Sequence, residues 1–128
     1  MSIFKLIINE RLPNLNEYTD ACRRNRYAGA QMKKNTQKTI RAYVKEQLEG
    51  VHFDAPVIIH FEWHEPNRKR DLDNIAFAKK FILDALVQCG VLNTDGWKGV
   101  SGFTDSFAVS NEPKVIVEIE FDDTALPF

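Results

Sequence analysis

Residues 56–64, Pro56-Val57-Ile58-Ile59-His60-Phe61-Glu62-Trp63-His64, alternate in character along their whole length. On an extended chain Val57, Ile59, Phe61 and Trp63 fall on one face, and Ile58, His60, Glu62 and His64 on the other. That period of two predicts a strand with one face for a core, closed by Pro66 and Asn67. The period then changes. Ile75, Ala78, Ile82, Ala85, Leu86 and Cys89 recur at steps of three and four, which predicts a helix over about 73–89, with Gly90 as its stop.

Working outward, residues 3–9 have the composition of a first strand, and Leu12-Pro13-Asn14-Leu15-Asn16 is a turn-rich break. Residues 17–34 are polar and basic, with Gly29 inside, and are expected to be partly loop. Over 35–48 the stripe Ile40, Tyr43, Val44, Leu48 predicts a helix that Asn35 or Thr36 caps and Gly50 ends. Late strands are expected at 100–109 and 114–121, joined by Ser110-Asn111-Glu112-Pro113. The order β-α-β-α-β-β predicts one α+β domain over residues 1–128, a small mixed sheet of about four strands with two main helices packed on it.

Composition narrows the class of function. The chain has 128 residues and is 44% hydrophobic, enough for one unstapled core. No apolar run reaches the roughly 20 residues of a membrane span, and the opening segment becomes charged too soon for a secretory signal. Cys22 and Cys89 lie in no zinc-type spacing, and two isolated cysteines suit a reducing compartment. The expected location is therefore cytoplasmic. Net charge is only −1, but its distribution is uneven. Arg23, Arg24, Arg26, Lys33, Lys34, Lys38, Arg41 and Lys45 occur without an intervening acid. A second basic knot, Arg68-Lys69-Arg70, precedes Asp71, and Glu118, Glu120, Asp122 and Asp123 make the end acidic. Such asymmetry predicts a polyanion docking on the basic side, or else a solvated helix face.

Arg70-Asp71-Leu72-Asp73-Asn74 carries the chemistry. If extended, Asp71 and Asp73 point the same way, roughly 6–7 Å apart, and can share a hard cation. Magnesium takes oxygen ligands, often one or two carboxylates plus water and phosphate. The competing reading is helix capping, which Asp does well. Seven residues on, Lys80 shares a helical face with Asp73 and stands one turn before Asp84, so it can screen developing phosphate charge or simply pair with Asp84. Asp95 follows in a loop and is a ligand only if that loop folds back. His60, Glu62 and His64 share a strand face and raise a weaker transition-metal reading. Tyr27 and Trp97 are candidates for base stacking, and Trp97 equally for a core or interface.

The linked set Arg70-Asp71-Leu72-Asp73-Asn74, Lys80-Phe81-Ile82-Leu83-Asp84-Ala85-Leu86 and Gly90-Val91-Leu92-Asn93-Thr94-Asp95 resembles the signature of the RusA family of crossover junction endodeoxyribonucleases, found in bacteria and often in phages and prophages. The likeness is strongest over the central third. It implies a homodimer that resolves four-way DNA junctions with magnesium, manganese being the expected substitute. Asp71 and Asp73 match the paired aspartates, Asp95 the third carboxylate, and Arg70 a basic residue that touches DNA. The lysine departs from the pattern: four residues after the second aspartate this chain has Phe77. Counting back four from Asp84 gives Lys80, with Lys79 as the rival. The family also often has two adjacent acids where this chain has Thr94-Asp95.

The expectation is thus a magnesium-dependent, structure-specific endonuclease. Asp71, Asp73 and Asp95 are its metal ligands and Lys80 its active-site lysine. Arg68, Lys69, Arg70, Arg23, Arg24, Arg26, Lys33 and Lys34 bind DNA. Phe103, Phe107, Phe121 and Phe128 are candidate dimer contacts. Alternatives are a nuclease for flaps or forks, and a non-catalytic DNA-binding module.

Overall fold

A computed structural model describes residues 1–122. Its elements are β1 (Ser2–Ile8), α1 (Leu15–Arg24), α2 (Arg26–Gln47), β2 (Val57–Glu65), α3 (Leu72–Ala76), α4 (Lys79–Gln88), β3 (Val100–Val109) and β4 (Lys114–Phe121). The four strands form one mixed sheet in the order β1-β4-β2-β3. β4 runs antiparallel to both β1 and β2, while β2 and β3 are parallel. The α+β architecture expected from the alternating periods is the one observed.

The sheet is sided as its sequence dictates. Leu6 and Ile8 of β1, Val57, Ile59, Phe61 and Trp63 of β2, and Val115, Val117 and Ile119 of β4 are buried. They meet Ile40 and Val44 of α2 and Phe81, Ile82, Ala85 and Leu86 of α4 in one core. Pleating turns Ile58, His60, Glu62 and His64, with Ile116, Glu118 and Glu120, to the opposite, helix-free face. Phe121 belongs to the core, stacked on Phe4 at 5.5 Å between ring centroids, so it is not a free interface residue. Phe128 and Asp123 lie outside the described residues.

Two boundaries differ from expectation. Residues 17–34 are helical on both sides of a single extended residue, Asn25. Asn14 and Glu17 form a reciprocal capping box that starts α1. Asn25 is extended, and its side chain accepts from the N–H groups of Tyr27 and Ala28, ending α1 and starting α2 at once. Asn35 and Thr36 are therefore interior to α2, not caps. Gly29 is there because the helices touch: a Cβ would lie 2.4 Å from Cys22 Sγ. The second difference is the expected 73–89 helix, which is two helices. Between them the N–H groups of Ala78, Lys80 and Phe81 bond three residues back, to Ile75, Phe77 and Ala78, so the turn is wound more tightly than an α-helix. Its apolar stripe is still buried at Ile75, Ala78, Ile82, Ala85 and Leu86.

The parallel pairing of β2 with β3 places a constraint on what lies between. The chain must travel back along the sheet before β3 can begin, and residues 66–99 make that crossover. Gly50 and Gly90, with φ of +76° and +78°, end α2 and α4 as stops in the left-handed region.

Candidate active site

The crossover carries the residues singled out by their chemistry. Asp71 sits at the N-cap of α3 with extended backbone angles, yet its side chain makes no capping bond. Asp73 is in the first helical turn, and its Oδ1 accepts only from the N–H of the next residue, Asn74, at 3.0 Å. Both residues are exposed, and neither has an ion-pair partner among the described residues. Capping therefore does not consume these carboxylates. The two do not lie on one extended segment, however, because the helix begins at Leu72, between them.

Lys80 is in the first turn of α4, where a cation works against the helix dipole and needs an anion nearby. It has two. Its Nζ lies 2.9 Å from Asp95 Oδ2 and 3.0 Å from Asp84 Oδ1. Its partners are thus Asp84, as the spacing of one turn allowed, and the loop carboxylate of Asp95, and not Asp73. The extra winding between α3 and α4 rotates Lys80 and Asp73 out of line. The Asp95 bond, then that of Asp84, raises the lysine pKa, and the Lys80 ammonium holds the Asp95 carboxyl below its ordinary value against a smaller effect of burial. Asp84 is further fixed by Gln37 Nε2 at 3.0 Å, so α2 braces this cluster.

The rival lysine does something different. Lys79 Nζ lies 2.7 Å from Asp105 Oδ2 and stands over the rings of Phe61 and Phe103, 5.3 and 5.0 Å from their centroids. Trp63 Nε1 donates to the other Asp105 oxygen at 2.9 Å. Asp105 was not anticipated. The available signal was an acid between Phe103 and Phe107 on the helix-facing side of β3, where the pleat predicts an apolar residue.

The three aspartates are brought to one edge of the sheet but not to one point. Asp71 lines a groove of about 520 Å³ with Arg68, Arg70, Leu72, Ile75 and Phe107. Asp95 lines a separate groove of about 310 Å³ with Gly96, Trp97, Val100 and Phe103. Phe103 and Phe107 are four residues apart on β3, a rise of roughly 13 Å. Among the described residues no three His, Cys, Asp or Glu side chains are grouped to hold a metal ion. The all-oxygen chemistry and free carboxylates of Asp71 and Asp73 suit magnesium, which needs no more than one or two carboxylates from the protein. Asp95 is held by Lys80 instead. On the helix-free face His60 contacts Thr104 Oγ1 at 2.6 Å and His64 contacts Glu62 Oε1 at 2.9 Å.

The basic residues divide into two kinds. Arg23, Arg24, Arg26, Lys33, Lys34, Arg68 and Lys69 are exposed and have no carboxylate partner among the described residues. Arg26 lies over the ring of Tyr27, 4.9 Å from its centroid. Arg70 differs, with a side chain only 15% exposed. It donates to Leu12 O at 3.0 Å and to Glu17, and lies 3.8 Å from Glu65, a buried acid that Arg11 also binds at 2.9 Å. Its guanidinium ties the loop before Asp71 to the start of α1.

One family model, endodeoxyribonuclease RusA, matches residues 7–120 of this sequence. No curated protein matches it.

Proposed function

This chain belongs to the RusA family of endodeoxyribonucleases, and from that premise we propose that it resolves four-way DNA junctions by magnesium-dependent phosphodiester hydrolysis, acting as a symmetric homodimer. The observation that carries the reading is the state of Asp71 and Asp73. They are two exposed carboxylates at a helix start, committed neither to capping nor to ion pairs, beside the basic run Arg68–Arg70. Acids in such a place are costly beside phosphate unless a cation lies between.

In this reading Asp71 and Asp73 hold the magnesium ion, and Asp95 enters its ligand set only by releasing Lys80. Bound there, magnesium would supply an activated water and neutralise the scissile phosphate. Lys80 keeps its proton across the working pH range and offers its ammonium to charge developing on phosphate oxygens. The unpaired cations of α1 and α2, with Arg68 and Lys69, hold duplex arms through phosphates, which positions without reading sequence. The sheet's other face mixes Glu62, Glu118 and Glu120 with Lys5 and Lys114, and so lacks the run of cations that the helical side offers a phosphate backbone. Resolution needs two cuts related by the junction's two-fold symmetry. One chain offers one such site, and a two-fold pair supplies both.

The test is cleavage of a synthetic four-way junction, a flap and a plain duplex, with magnesium and with chelator. Junction cutting in opposed strands only with metal is expected. A preference for flaps would move the substrate, and metal-dependent binding without any cutting would leave a DNA-binding module.

A further inference from the structure

Trp97 is 93% exposed, while the other tryptophan, Trp63, is 2% exposed in the core. Exposure of so large an apolar ring is unfavourable, and a mobile loop would let it fold down. This loop cannot easily do so. The N–H groups of Gly99 and Val100 both bond Gly96 O, at 3.0 and 2.9 Å, and Gly96 N–H bonds Thr94 Oγ1 at 3.1 Å. The foot of the turn is pinned to the sheet by Val57 N–H on Gly99 O at 3.0 Å. Gly99 passes so close to Thr94 that a Cβ would lie 2.0 Å from its carbonyl oxygen. The indole is therefore held out at the tip of a closed turn.

What surrounds it indicates the ligand. Trp97 and Phe103 line the groove of about 310 Å³ that also contains Asp95, whose carboxylate is bound by Lys80. Gly96 and Gly102 leave the groove open, and a Cβ on Gly102 would meet nothing. Exposed Lys98 follows directly. An aromatic plane, a narrow open slot and flanking ammonium groups match a nucleobase with its phosphate. The apolar walls of Trp97, Val100 and Phe103 would serve a protein partner as well, but the flanking Lys80 and Lys98 favour an anionic ligand, since lysines are depleted from the centre of protein interfaces.

We propose that Trp97 is a stacking platform for an unpaired base at the branch of the DNA substrate, seated in the Asp95–Phe103 groove. The proposal rests on the nucleic-acid reading above, and its test separates the two. Because Trp63 is buried, quenching of tryptophan emission by a DNA strand reports on Trp97 alone. Emission is measured for Asp73→Asn protein, whose DNA binding is expected to survive, titrated with a four-way junction and with a perfect duplex of equal length. Affinity is measured in parallel for Trp97→Ala and Trp97→Phe.

The expected result is quenching by the junction and not by the duplex. Trp97→Ala should lose about 5- to 150-fold in junction affinity, the range for removal of one base stack. Duplex affinity and melting temperature should stay unchanged, and Trp97→Phe should stay near wild type. Equal quenching by both DNAs, or an unchanged Trp97→Ala affinity, overturns the proposal while leaving junction cleavage standing. A Trp97 already shielded from acrylamide without DNA, with Trp97→Ala turning a dimer into monomers, overturns it in favour of an interface between copies. Wild-type protein that cuts no junction but is quenched by other branched DNA sinks the junction reading alone.

Discussion

The ammonium of Lys80 and the carboxylate of Asp95 meet at 2.9 Å, joining the first turn of α4 to a loop 15 residues further along the chain. The neighbouring lysine, Lys79, turns to Asp105 on β3 instead. The two should respond differently to removal. Lys80→Met is expected to slow single-turnover cleavage by about 10²–10³-fold with junction affinity nearly unchanged, as for loss of one transition-state charge partner. Lys79→Met leaves Asp105 facing Trp63 without its cation and should cost about 1–2 kcal/mol of stability, read by denaturant unfolding. The reverse pattern would make Lys79 the active-site lysine.

Asp71→Asn and Asp73→Asn should each abolish cutting while junction binding survives or tightens, since each removes a negative charge facing phosphate. Magnesium or manganese should support activity, chelator should remove it, and calcium should inhibit. Full nicking in chelator would end the metal mechanism.

Replacing Arg23, Arg24 and Arg26 together by Ala should weaken junction binding and flatten its salt dependence. The slope of log affinity against log salt becomes shallower by about 0.9 for each phosphate that the protein no longer neutralises. An unchanged slope would mark these exposed cations as a solvated face.

Arg70→Ala should behave as a stability variant. It removes the bonds to Leu12 O and Glu17 and leaves Glu65, 7% exposed, with Arg11 alone. A loss of about 2–3 kcal/mol is expected from thermal or urea unfolding, with the salt slope of DNA binding little altered. Arg70→Lys should not restore it, because a single ammonium cannot reach the same separate acceptors.

His52 donates toward Gly90 O through one ring nitrogen and faces Asp54 Oδ1 at 2.9 Å through the other, so both nitrogens meet acceptors and the imidazolium is favoured. The Gly90 carbonyl, then Asp54, raises its pKa against a smaller effect of burial. A raised folded-state pKa contributes stability that is complete below the ordinary value, about 6.5, and is lost as pH climbs through the raised one. The stability difference between wild type and His52→Gln should therefore shrink as pH rises from about 6.5. A difference that stays flat across that range would remove His52 as the clip on the loop leading to Asp95.

The strands and core were legible because period two at 56–64 and the Ile75–Leu86 stripe are long-range consequences of burying one face. The α1–α2 pair was obscured by its polar surface. The capping box at Asn14 and Glu17 was present as a three-residue spacing, but Gly29 argued for loop until its close approach to Cys22 explained it. At the site, residue types were readable and distances were not. An unbroken helix would put Lys80 on the side of Asp73, and the tightened turn at Phe77–Ala78 directs it to Asp95 instead. The partner of Lys79, Asp105, is 26 residues away on β3, a separation no local pattern encodes.

Because β2 and β3 are parallel neighbours, Asp71, Asp73, Lys80, Asp95 and Trp97 all fall within one uninterrupted stretch, 66–99, whose two ends are fixed by the sheet. That makes the stretch transplantable. Exchanged as a cassette between relatives with matching β2, β3 and α2, the helix on which α4 packs, it would carry the proposed cutting chemistry and branch preference with it. The phosphate contacts proposed for α1 and α2 would stay with the recipient, while those of Arg68 and Lys69 would move with the cassette.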